Sequence, residues 1–130
     1  MSCKVFVYGT LLEGEPNHRV LGDSELLGTA TTRPAFRFVD CGYYPAALTD
    51  GETAIVGEVY RVNDETLEDL DRLEGVPRLY QRKRIKLADG SVAWIYLLNP
   101  EGYYGRREMP AIECGDWRAH LDAKYGAAAS

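Results

Sequence analysis

Hydrophobic and polar positions change period several times along the chain, and each change marks an element. Residues 4–8 read Lys-Val-Phe-Val-Tyr, a short apolar run of β-formers that predicts a buried strand ending in the turn Gly9-Thr10-Leu11-Leu12. A polar loop follows, in which Asn17 is placed to cap a short helix through Arg19, Val20 and Leu21. Residues 24–38 read as strand material broken at Pro34. The aromatic–proline core of residues 41–48 predicts a rigid loop over a pocket, with a plain X-Pro turn as the alternative. Asp50-Gly51 is a turn signal. The longest clear strand spans 54–62, and Gly57 inside it implies a bend or a close backbone approach.

Period 3.6 takes over next. Asn63 and Asp64 suit an N-cap, Leu67, Leu70 and Leu73 recur on one face, Gly75 suits the C-terminus, and Pro77 bars continuation. Strands at 79–87 and 92–98 flank Asp89-Gly90, a hairpin signal. Trp94, Tyr96 and Leu98 alternate with Ala93, Ile95 and Leu97, so both faces of that strand are apolar and it belongs inside a sheet. Residues 99–110 read as a loop, 112–117 lead to a last short helix ending near Lys124, and 127–130 should fray. The order predicts one α+β domain over 1–126 with a tail at 127–130. The glycines at strand bends favour a small mixed β-barrel with flanking short helices.

Within this pattern Glu74 is out of place. It follows Leu70 by four residues, at the edge of the leucine stripe, and falls in the last helical turn, where the dipole disfavours a carboxylate. Partial burial and the dipole both favour the protonated form, so the group can act as an acid/base near neutral pH. One more surface acid on an acidic helix is the plain alternative. The turn at residues 9–12 could likewise present consecutive N–H groups to an anion, or be only a turn.

Composition narrows the classes. Lys and Arg number 15 against 20 Asp and Glu, a formal net charge of -5 that argues against nucleic acid or an anionic membrane as partner. No apolar run is long enough to span a bilayer, and the N-terminus lacks the layout of a signal peptide. Cys3, Cys41 and Cys114 have no metal-ligand spacing and read as reduced thiols of a cytoplasmic protein. His18 and His120 are isolated from other ligand types, so no metal is expected, and His18 reads as structural. Nine tyrosines in a chain of this length suit a polar-lined pocket.

Four motifs occur together and in order: V-F-V-Y-G-T-L at 5–11, P-N-H-R-V-L at 16–21, G-E-V-Y at 57–60 and L-D-R-L-E-G-V-P-R-L-Y-Q-R at 70–82. Together they resemble the gamma-glutamylcyclotransferase superfamily, closest to the gamma-glutamylamine cyclotransferase (AIG2-like) group, over nearly the whole chain. The resemblance implies a small β-barrel enzyme that needs no metal or organic cofactor. It implies a cyclotransferase that turns a small-molecule L-γ-glutamylamine into 5-oxoproline and a free amine, a lyase-type C–N cleavage. In it Glu74 matches the catalytic glutamate, Tyr8, Gly9, Thr10 and Leu11 the cradle for the substrate's α-carboxylate, and Tyr80 a tyrosine near the site. Tyr44, with Pro45, resembles a loop on the pocket wall. The segment 21–54 diverges from the family pattern and the C-terminal part is short, which bears on the leaving group. Two alternatives stand beside this reading: a cyclotransferase for γ-glutamyl amino acids, and a non-catalytic binder of a small γ-glutamyl or acidic ligand.

Overall fold

A computed structural model describes residues 2–100 and 109–126. Seven strands run β1 Ser2–Val7, β2 Glu25–Thr31, β3 Phe36–Asp40, β4 Pro45–Thr53, β5 Val56–Asn63, β6 Tyr80–Lys86 and β7 Val92–Leu98. Helix α1 spans Asp64–Leu73 and helix α2 spans Trp117–Leu121, with a 3₁₀ turn at His18–Leu21. No described helix is long and apolar enough to cross a membrane.

Five strands form one sheet in the order β2-β5-β1-β7-β6, and β3 pairs with β4 as a separate ribbon. The sheet is mixed, because β1 runs antiparallel to β5 and parallel to β7. Its two edges meet. Thr32, just past β2, bridges Leu87, just past β6, and the Ala88 N–H donates to the Thr31 carbonyl at 2.8 Å. Thr32 is buried there, and its hydroxyl accepts the Ile55 N–H at 2.9 Å. The architecture is α+β, a strongly curled mixed sheet with few short helices, as the pattern predicts.

The central strands are apolar on both faces because each face meets a different core. Val5 and Val7 of β1 and Tyr96 and Leu98 of β7 join Leu70 of α1 in one core. Phe6, Tyr8, Ala93, Ile95 and Leu97 join Phe38 and Trp117 in the other. The hairpin predicted at Asp89-Gly90 pairs β6 with β7 from Lys86↔Val92 to Tyr80↔Leu98.

Two expectations change. Residues 45–48 are not loop but the start of β4, and Asp50-Gly51 does not turn the chain. Pairing jumps from Phe36↔Thr53 to Arg37↔Leu48, so these residues form an irregular stretch within one strand. Gly51 serves a close approach there, since a Cβ would lie 2.2 Å from the Phe36 carbonyl oxygen. Most of the loop predicted at 99–110, and the tail at 127–130, lie outside the described residues.

Gly57 does what its place in a strand implied. A Cβ on it would stand 2.1 Å from the Val7 carbonyl oxygen and 2.7 Å from the Phe6 ring, both on the central strand. Gly57→Ala should therefore destabilise the fold by about 1–3 kcal/mol, the usual cost of forcing extra volume into a packed interior. Chemical denaturation read by tryptophan fluorescence checks this, and an unchanged midpoint would contradict the close approach.

Candidate active site

The end of β1 and the end of α1 face each other across a cavity of about 390 Å³. β1 brings Tyr8, and the turn beyond it brings Gly9, Thr10 and Leu11 to the wall. Gly9 is required by contact rather than by backbone angle: a Cβ would meet Pro45 Cγ and Cδ at 2.6 Å. The turn thus lies directly against the start of β4, which places Tyr44 on the same wall. Within the turn, the Leu12 N–H donates to the Gly9 carbonyl at 3.0 Å and the Asn17 N–H to the Thr10 carbonyl at 2.8 Å. The N–H groups of Thr10 and Leu11 have no backbone acceptor among the described residues. Against the expectation from sequence, Asn17 does not cap the 3₁₀ turn with its side chain; its Nδ2 donates to Thr10 Oγ1 at 3.0 Å instead. His18 has a structural bond, Nδ1 to the Leu11 carbonyl at 2.9 Å.

Helix α1 ends at Leu73, and Glu74 is its C-cap residue. Gly75 follows with φ +66°, a left-handed conformation that glycine adopts without strain. The Gly75 N–H donates to Arg72 at 3.3 Å and the Val76 N–H to Asp71 at 3.0 Å. Asn99, at the end of β7, donates through Nδ2 to the Pro77 and Arg78 carbonyls at 2.8 Å, fixing the loop that leads to Tyr80.

Glu74 faces the cavity with no side-chain hydrogen bond or ion pair among the described residues. Burial alone pushes its carboxyl up to about 7. Three tyrosines surround the same space. The Tyr8 hydroxyl donates to the Tyr96 carbonyl at 2.7 Å, and burial first, then Glu74, holds it well above its ordinary range. Tyr80 is also raised by burial first, then by Tyr8 and Glu74; among the described residues its hydroxyl has no hydrogen-bond partner. Tyr96, the third, is raised by burial first and then by its bond to Asp71, to which its hydroxyl donates at 2.7 Å. All three hydroxyls therefore stay protonated at neutral pH; those of Tyr8 and Tyr96 are committed to other acceptors, which leaves Tyr80 as the donor open to the cavity.

Glu74, Tyr8, Gly9, Thr10, Leu11, Tyr44 and Tyr80 all line this one cavity. Sequence reasoning passed over Tyr96, Asn17, Leu73 and Leu79, which line it too, as does Tyr43 of the stretch predicted to lie over a pocket. For Tyr96 the signal was present. Counting back from Asp89-Gly90 pairs it with Arg82, two residues along the same face from Tyr80. The described residues hold no cluster of His, Cys, Asp and Glu that could ligate a metal.

The family model described as gamma-glutamyl cyclotransferase, AIG2-like, matches residues 5–119. A Vibrio cholerae protein is 44% identical over 113 residues, covering 87% of this chain and 93% of its own. A Bos taurus protein named gamma-glutamylaminecyclotransferase is 39% identical over 93 residues, 65% of this chain and 55% of its own. The crystal structure of an AIG2-like protein from Mus musculus superposes with a TM-score of 0.74 at 26% identity, covering 86% of each chain.

A carboxyl group raised from 4.5 to about 7 on folding has a signature in stability. Between those values the folded chain keeps a proton that the unfolded chain has released. Stability is therefore greatest below the lower value and falls as pH rises through about 7, by at most on the order of 3 kcal/mol. Glu74→Gln should remove this slope and leave the variant the more stable protein above neutrality. Thermal melts of both proteins across this window check it, and parallel stability curves would put Glu74 in the ordinary carboxylate range.

Proposed function

This chain belongs to the gamma-glutamyl cyclotransferase, AIG2-like family, and we propose that it converts L-γ-glutamylamines to 5-oxoproline with release of the free amine. The observation that carries this is Glu74, a carboxyl without a partner among the described residues, raised to about 7 in a tyrosine-lined cavity opposite the Gly9–Thr10–Leu11 turn.

The nucleophile and the electrophile belong to one molecule, so the site must mainly hold the glutamyl chain in its reactive conformer. The N–H groups of Thr10 and Leu11 bind the α-carboxylate. Glu74 takes one proton from the α-ammonium. The freed amine attacks the γ-carbonyl, forming the ring C–N bond, and the Tyr80 hydroxyl donates to the oxyanion that develops. The bond to the leaving nitrogen then breaks as Glu74 returns its proton there. The second proton lost by the ring nitrogen ends on the departing amine, which leaves as an ammonium ion. A carboxyl near 7 suits both halves, since the driving force for taking and returning a proton is then balanced.

The leaving group meets the mouth of the cavity, where Tyr43 is 94% exposed and Leu73 41% exposed. Glu74 is the only charged side chain among the described lining residues. A leaving amine with no carboxylate beside its scissile nitrogen, as in an alkylamine or the ε-amine of lysine, fits such a mouth better than an α-amino group, and the name of the bovine relative points the same way.

Release of 5-oxoproline from γ-glutamyl-ε-lysine, γ-glutamyl alkylamides, γ-glutamyl-alanine and glutathione tests this. Product should come from the lysine and alkylamide members, and Glu74→Gln should lower it by about 10²- to 10⁴-fold. Product only from γ-glutamyl-alanine or glutathione would move the activity to γ-glutamyl amino acids. Silence across the panel with retained 5-oxoproline binding would leave a binding protein.

A further inference from the structure

Asp71 lies one turn before Glu74, on the same side of α1, and is where the end of the helix is fastened to the sheet. Its Oδ1 accepts the Tyr96 hydroxyl at 2.7 Å and Arg82 Nε at 2.9 Å, and its Oδ2 accepts Arg82 Nη2 at 3.1 Å. Its backbone carbonyl accepts the Val76 N–H at 3.0 Å, one of the two bonds that close the helix around Glu74. Arg82 is itself braced, with its guanidinium carbon 4.4 Å from the centre of the Trp94 ring. A single residue thus joins the β6–β7 hairpin, the last turn of α1 and the turn that presents Glu74.

We propose that Asp71 is a positioning residue for Glu74, holding the helix end at the depth and angle from which the carboxyl reaches the substrate's nitrogens. This rests on Glu74 acting as the acid/base of the γ-glutamyl reaction. Placement, not charge, is the means, since burial is what raises the Glu74 carboxyl. The Asp71 and Arg82 side chains are 24% and 23% exposed and their contact is two-pronged, so its loss lowers stability whatever else it does. A purely structural role therefore predicts a lower melting temperature with an unchanged rate per folded molecule. A positioning role predicts a loss in the chemical step, because a misplacement of about 1 Å at a reacting group costs on the order of 10²-fold.

The test is Asp71→Ala, with Asp71→Asn as the variant of equal volume that keeps one acceptor for Tyr96. Both are made in the parent and in Glu74→Gln, and assayed on a γ-glutamyl alkylamide. In the parent, Asp71→Ala should lower kcat on the order of 10²-fold with KM within a few-fold, and Asp71→Asn should recover part of the loss. In Glu74→Gln, neither change should cost anything further, because the group being positioned is gone. An equal loss in both backgrounds, or a loss confined to KM, would overturn the proposal. A second readout needs no turnover. The side-chain ¹³C signal of Glu74 should titrate near 7 in the parent and closer to the ordinary carboxylate range in Asp71→Ala or Asp71→Asn, where the helix end is released into solvent. Identical titrations would overturn the positioning role. A moved titration in a protein that turns over no γ-glutamyl compound would overturn the proposed reaction instead, leaving the positioning of the carboxyl established.

Discussion

A carboxyl group kept from water with no counter-charge is expensive to ionise, and the geometry around Glu74 maintains that condition from several sides. The helix ends one residue before it, so the carboxyl stands over the cavity rather than on the outer face of α1. Gly75 turns the chain back with a left-handed backbone, and Asn99 ties down the loop that follows. Tyr8, Tyr80 and Tyr96 supply apolar rings and neutral hydroxyls where an arginine or lysine would have pulled the group back to its ordinary range. Each of these features has a plain structural reading. Together they hold one carboxyl at about 7.

The opposite wall depends on the sheet. β1 is the central strand, its two faces packed into two cores, so its end is held by packing on both sides. The turn after it carries Gly9 against Pro45, with too little room for any side chain. Buried Glu58 secures the other side of the same loop. It accepts the Glu13 N–H at 2.9 Å and the Tyr60 hydroxyl at 3.1 Å, and it pairs with Arg118 at 3.5 Å. The farther rim is anchored by Asp40, which burial would raise, but which bonds from His120, the Gly42 N–H and Lys124 hold below its usual value. Residues of the last helix region, Arg118 on Glu58 and His120 with Lys124 on Asp40, thus tie down segments that adjoin the lining residues without lining the cavity themselves.

Much of this is legible in the sequence where the signal is local. The leucine stripe, the N-cap and Gly75 mark α1 within a residue, and the two apolar faces of 92–98 mark a central strand because burial on both sides leaves no polar alternation. Glu74 is less plain: it lies at the edge of the leucine stripe in the last turn, where a surface acid is an equal reading, and it is the motif around it that singles it out. What the sequence hides is non-local. Asp50-Gly51 has the chemistry of a turn, yet here glycine answers a backbone approach from Phe36, which only tertiary pairing reveals. Tyr44-Pro45 looks like a loop because proline is poor in a strand interior, yet β4 starts at Pro45, where a missing N–H does no harm. Asp71 reads as one of several acids on an acidic helix, and its partners, Arg82 and Tyr96, are 11 and 25 residues away.

The central claim is that burial makes Glu74 the proton carrier of an intramolecular cyclisation, and the pH dependence of kcat/KM on a γ-glutamyl alkylamide tests it most directly. A base near 7 requires the rate to fall as pH drops through that value, and Glu74→Gln to lose both the rate and the inflection. A profile that stays level down to the ordinary carboxylate range, or an inflection that survives in Glu74→Gln, would place the proton transfer on another group.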